Sequence, residues 1–167
     1  MYDKYPTRKY STYSIINRKE RVAFDRPKNF TESEFKSYNR DGFIVLKGFF
    51  NNLESIKRLA ESVYDGKTKC YTNHEPNIKQ VRSALGVHDF KEIEGLLTDS
   101  LKEIVSSLLG DSIYIHQSRI NYKAGSNSNG WNWHSDFETW HSQDGMPEMK
   151  CLTAMIPLDN NTIENGC

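Results

Sequence analysis

The sequence predicts an α+β fold in which helices come first and the strands of an antiparallel sheet follow. Three observations lead there. Apolar residues recur at helical spacing between residues 31 and 110, the spacing changes to strand-like alternation after Gly110, and Gly, Asn and Asp stand where one element gives way to the next. A chain of 167 residues, 37% hydrophobic and 12% aromatic, suffices for one core but not for two comfortable domains.

Residues 1–30 are rich in Tyr, Lys, Arg and Ser without apolar periodicity, so an extended arm is expected there, and residues 31–167 form the domain. Thr31-Glu32-Ser33-Glu34 is a capping-box pattern that opens a short helix to about Arg40, after which Asp41-Gly42 turns the chain. Phe43-Ile44-Val45-Leu46 reads as a buried strand. Asn51 or Asn52 can cap a second helix whose Leu53, Ile56, Leu59, Ala60 and Val63 share one face, ending near Gly66. Residues 67–77 are polar and turn-rich and are expected to be a mobile loop, with order resuming near Gln80. Leu101, Ile104, Val105 and Leu108 define a third helix closed by Gly110. Strands are expected over residues 113–122, 133–137 and 149–158, with a Gly, Ser and Asn loop over 124–132.

Composition excludes several functions. Twenty-two Lys plus Arg balance twenty-two Asp plus Glu, so no net field draws the chain to nucleic acid or an anionic membrane, and a small-molecule partner is expected. The longest apolar runs fall far below the ~20 residues that span a bilayer. The first residues, MYDKYPTRKYSTYS, lack an apolar stretch of the secretory kind, which makes the cytoplasm the expected location. Three cysteines, Cys70, Cys151 and Cys167, show no CxxC spacing and are read as reduced thiols, with Cys151 a small core residue.

The chemistry concentrates in Trp131-Asn132-Trp133-His134-Ser135-Asp136-Phe137-Glu138-Thr139-Trp140-His141. On a strand, residues two apart face the same way, so His134 and Asp136 can present a nitrogen and a carboxylate oxygen to one ion. With a distant second His they would make the facial triad of non-haem Fe(II) oxygenases, which leaves positions open for other ligands. His-x-Asp alone is a weak signal. His116 and His141 are better read as hydrogen-bonded structural residues, His74 and His88 as solvated, and Trp131 and Trp133 as core or rim aromatics.

The flanks add specificity. His116-Gln117-Ser118-Arg119-Ile120-Asn121-Tyr122-Lys123, the stretch from Trp133 to His141 and Asp144-Gly145-Met146-Pro147 together resemble the ectoine hydroxylases, a group within the phytanoyl-CoA dioxygenase-like family. The resemblance extends more loosely over residues 30–166. It implies a double-stranded β-helix, or jelly roll, with the N-terminal helices packed on its first half. It also implies Fe(II), 2-oxoglutarate and O2 as the reacting partners, ectoine as substrate, 5-hydroxyectoine as product, and a homodimer as one form open to the full-length protein. By position it makes His134 and Asp136 the iron ligands, and Gln117, Thr139 and Trp140 the substrate contacts. Asn121, Lys123, Trp131 and Thr153 fall beside 2-oxoglutarate. Ectoine carries a delocalised amidinium-like ring, which an indole face can hold by a cation–π contact of about 0.5–2 kcal/mol.

Members of the family continue past Asn165-Gly166 with a Pro and an apolar strand, then supply the second iron His and a 2-oxoglutarate-anchoring Arg, whereas here Cys167 follows. The chain is therefore read as lacking its C-terminal part, so open strand edges and exposed apolar faces are expected. Trp131 and Thr153 stand where Phe and Ser are usual. A hydroxylase of a free amino acid such as proline and an inactive remnant are the alternatives to ectoine hydroxylation.

Overall fold

The computed structural model describes residues 25–76, 79–123, 130–131 and 133–165. Helix α1 (Glu32–Asp41) begins at the capping box: Glu34 N–H donates to Thr31 Oγ1 at 3.2 Å, and Glu34 Oε2 accepts from Thr31 N–H at 2.8 Å. These bonds to the Thr31 backbone and hydroxyl hold the Glu34 carboxyl below its ordinary value. The helix ends at Gly42, whose φ of 77° is a left-handed conformation that Gly adopts without strain. Helix α2 (Glu54–Tyr64) is opened by Asn52, whose Oδ1 accepts from Glu54 N–H at 3.0 Å. Ile56, Leu59, Ala60 and Val63 are its buried face, as their spacing predicts.

Two of the three strands lie between α2 and the next long helix, so the expected order of helices first and strands afterwards does not hold. Strand β1 (Tyr71–His74) falls inside the segment expected to be a mobile loop. It was hard to see because Tyr-Thr-Asn-His has no apolar alternation. As an edge strand with Tyr71 exposed, it is held by backbone pairing rather than by burial. Strand β2 (Val81–Leu85) is central, antiparallel to β1 on one side and to β3 (Arg119–Asn121) on the other. Thr72 pairs with Ala84 and Ala84 with Ile120, and the β1–β2 register shifts between Asn73 and His74. Between β2 and β3 come a 3₁₀ turn at Val87–Asp89, the short helix α3 (Lys91–Glu94) and helix α4 (Asp99–Leu109). The Thr98 hydroxyl caps α4 by accepting from Leu101 N–H at 3.2 Å, and Gly110 closes it at φ 63°.

Two apolar clusters result. In the first, the buried face of α2 packs on Ala84, Val87, Ile93 and Ile120, with Cys70, Tyr122 and Leu158 at its margin. The second joins Phe30, Ile104 and Leu108, with Phe35, Tyr38, Ile44, Leu46 and Leu152 around them. From the expected arm, residues 1–24 lie outside the described residues, while Pro27 and Phe30 are buried and Asp25 N–H donates to Ser107 O at 3.1 Å on α4.

Several expected strands are corrected. Phe43-Ile44-Val45-Leu46 is extended but unladdered and only half-buried: Ile44 and Leu46 turn into the second cluster, while Phe43 and Val45 are 65% and 68% exposed. Of residues 113–122 only β3 pairs, and Ile113, Tyr114 and Ile115 are exposed. Residues 149–158 carry no ladder among the described residues; Leu152 and Leu158 pack inward while Met155 is exposed. Alternation at these places reports a backbone with one covered side, which a ladder is not needed to produce. The α+β class stands. Among the described residues no helix is long and apolar enough to cross a membrane.

Candidate metal and substrate site

The His-x-Asp segment sits at a junction rather than on a strand. Ser135 is extended (φ −111°, ψ 122°), and Asp136 begins helix α5 (Asp136–Gln143), which replaces the expected strand over 133–137. Asp136 and Glu138 lie in the first turn, where carboxylates suit the positive end of the helix dipole. Phe137 and Glu138 turn inward, and Phe137 meets His141 one turn on at 5.4 Å between ring centroids. The helix ends where Asp144 N–H and Met146 N–H both donate to Trp140 O, at 3.0 and 3.1 Å, with Gly145 at φ 74°. Ser135-Asp136-Phe137-Glu138 has the S-x-x-E form of a helix start, although the Ser135 side chain makes no capping hydrogen bond here.

The two expected metal ligands nevertheless converge. His134 Nε2 and Asp136 Oδ1 are 3.3 Å apart, and both side chains are about half exposed. Two cis donors about 2.1 Å from an octahedral ion would be separated by about 3.0 Å, so the pair fits one edge of such a coordination sphere. Among the described residues no group of three or more His, Cys, Asp and Glu side chains is placed to hold a metal.

Trp140 lies half-buried on α5, edge-on to the His116 ring at 5.1 Å. His116 Nε2 donates to Asp144 Oδ2 at 3.0 Å, so His116 ties the segment ahead of β3 to the end of α5. Next to it Gln117 is exposed and its Oε1 accepts from the Arg119 guanidinium at 2.5 Å. Thr139 is exposed on α5. His141 Nδ1 donates to Met146 O at 2.6 Å, which agrees with a structural role for this residue and for His116. His74 is exposed, but His88 is not simply solvated: it is half-buried and bonded through Nδ1 to Ser118 Oγ at 2.6 Å.

The residues expected beside 2-oxoglutarate are more scattered. Asn121 ends β3 with its side chain exposed, opposite Ser83, and Lys123 is exposed two residues on. Between them Tyr122 donates its hydroxyl to Ala60 O at 2.8 Å, and its pKa is pushed up to about 12, chiefly by burial and secondarily by the nearby Cys70. Trp131 lies under the Arg82 guanidinium, 4.0 Å from its carbon to the ring centroid. Thr153 is exposed in the 149–158 stretch. Cys70 and Cys151 are not joined in a disulfide and both are half-buried, so Cys151 is not the core residue expected; Cys167 lies outside the described residues.

Residues 38–167 match the phytanoyl-CoA dioxygenase (PhyH) family, and the chain belongs to it. Within that class it is similar to proteins named ectoine dioxygenase. The one from Bordetella bronchiseptica is 34% identical over 174 residues, covering 98% of this chain and 56% of the relative. The one from Halomonas elongata is 36% identical over 179 residues, covering 98% and 53%. The chain thus spans a little over half the length of these relatives. Its fold is similar to crystal structures of EctD from S. alaskensis, at 32% identity over 89% of this chain and 56% of that one. The TM-score is 0.76 for the form with 2-oxoglutarate and 5-hydroxyectoine and 0.73 for the form with bound Fe.

Proposed function

We propose that the protein is a non-haem Fe(II)- and 2-oxoglutarate-dependent dioxygenase that hydroxylates ectoine, consuming O2 and 2-oxoglutarate and yielding 5-hydroxyectoine, succinate and CO2. The observation that carries this reading is the His134–Asp136 pair, 3.3 Å apart at the head of the helix that bears Thr139 and Trp140. Bound between those two ligands, Fe(II) would supply the activation of O2 coupled to decarboxylation of 2-oxoglutarate. The helices then belong against the first half of a jelly roll, and the cytoplasm, where 2-oxoglutarate is at hand, is the proposed location.

The chain's own residues bind and orient. The indole of Trp140, held edge-on by His116, offers its face to ectoine's amidinium-like ring. The Arg119 guanidinium occupies Gln117 Oε1, which leaves the amide nitrogen as the group that donates to a substrate carboxylate. Lys123 brings a cation and Asn121 a polar side chain to the 2-oxoglutarate side, where Trp131 forms an aromatic wall and Thr153 adds a hydroxyl. The test is decarboxylation of 2-oxoglutarate by the intact protein with Fe(II), with ectoine and proline compared side by side. Stimulation by ectoine and not by proline is expected; no stimulation by ectoine would reject the assignment.

A further inference from the structure

We infer that Arg82 is a positioning residue that clasps both ends of the connection between β3 and the His134 segment. The inference rests on the metal-site reading above and adds to it a residue that lies well upstream of His116, where the block that carries the family resemblance begins.

Arg82 lies in central strand β2, and its two halves reach opposite ends of that connection. Its backbone carbonyl accepts from Tyr122 N–H at 2.9 Å, just where the chain leaves β3. Its side chain meets the chain on its return: Nη2 donates to Gly130 O at 2.9 Å, and the guanidinium plane covers Trp131. His134 follows three residues later. The other edge of the guanidinium is taken by Glu75, where Nη1 donates to Oε1 at 3.1 Å and to Oε2 at 2.9 Å.

Burial decides which partner holds which. The Glu75 side chain is 1% exposed and that of Arg82 is 18% exposed. A carboxylate so deeply buried requires a paired cation, and Glu75 is itself fixed by the hairpin, since its N–H donates to Gln80 O at 2.8 Å. The guanidinium is therefore locked by the sheet, and Gly130 and Trp131 of the returning chain dock against it. A lysine could neutralise Glu75, but a point charge cannot at once bridge to Gly130 O and lie over an indole.

The test uses the intact protein, Co(II) as a substitute for Fe(II), and amide exchange of peptides spanning residues 123–136. Arg82→Lys is expected to keep the fold, quicken exchange about tenfold, and weaken Co(II) binding about 10–100-fold, the range seen when groups behind metal ligands are altered. The double variant Glu75→Gln/Arg82→Met removes the clasp without stranding a buried charge and is expected to show the same two effects. Unchanged exchange in both variants would overturn the clasp, and faster exchange with unchanged Co(II) affinity would overturn its bearing on the metal. Should the wild type itself fail to bind Co(II), the metal reading is what falls, and the exchange arm still decides the clasp.

Discussion

Tyr122 lets one hydroxyl be weighed by two routes. Replacing it with Phe keeps the ring against Tyr64, 5.3 Å between centroids, and deletes only the bond to Ala60 O at 2.8 Å that joins β3 to α2. A neutral hydrogen bond of this kind contributes about 0.5–1.5 kcal/mol net. Tyr122→Phe should therefore be less stable by about 1 kcal/mol at pH 8, or about 2–4 °C in Tm for a chain of this size. The same phenol titrates near 12 in the folded protein against an ordinary 10.0, so its folded value is raised. A raised value means that its stabilisation is complete below pH 10 and is lost as pH climbs to 12. Two pKa steps would correspond to about 2.7 kcal/mol in full burial. Because the ring is only half-buried, screening reduces this to about 1 kcal/mol. Urea titrations of both proteins at pH 8 and pH 11 cancel the other tyrosines in the difference. The advantage of the wild type should shrink by pH 11 and vanish near pH 12; equal stability at pH 8, or a difference that persists across the alkaline range, would refute the reasoning.

Asp136→Asn should abolish detectable metal binding in a titration of the intact protein while lowering apo stability by less than about 1 kcal/mol, since the half-exposed pair with His134 and the helix-end position contribute little; retained affinity would remove Asp136 from the ligand set. Trp140→Ala should weaken ectoine binding about 2–30-fold, the equivalent of a cation–π contact of about 0.5–2 kcal/mol, as read by calorimetry. An unchanged Kd would take the indole out of the substrate site. Leu59→Ala, at a side chain 6% exposed in the first cluster, should cost about 2–5 kcal/mol in urea unfolding. A loss below about 1 kcal/mol would mean that α2 is not packed on the sheet as described.

The helices were legible because their evidence is local. Thr31 and Glu34, the Ile56–Val63 stripe and Gly110 each declare a boundary within one or two turns of chain. Strand pairing is not local: Tyr71-Thr72-Asn73-His74 becomes a strand only because Val81–Leu85 runs beside it, and nothing in its own side chains announces that partner. The reverse holds at Phe43-Ile44-Val45-Leu46, where apolar residues with good strand propensity meet no ladder partner among the described residues. At the site, the closeness of His134 and Asp136 was anticipated, but for a reason that does not hold. Strand alternation predicts it, whereas in the structure an extended residue running into the first turn of a helix brings the two donors together. The Arg82–Glu75 pair was invisible in sequence because the meaning of each residue depends on a hairpin that folds one against the other.

Among the described residues, neither apolar cluster draws a side chain from the stretch between Tyr122 and Leu152, although Phe137 and Glu138 of α5 are themselves buried. The His134–Asp136 pair and α5 are thus held by the buried Phe137, by hydrogen bonds and by ring edges rather than by either cluster, and such an attachment is weaker than a shared core. On gentle heating this stretch should come away as a unit while both clusters persist. Loss of function would then run ahead of loss of structure, and a protein that looks intact by circular dichroism could already be silent.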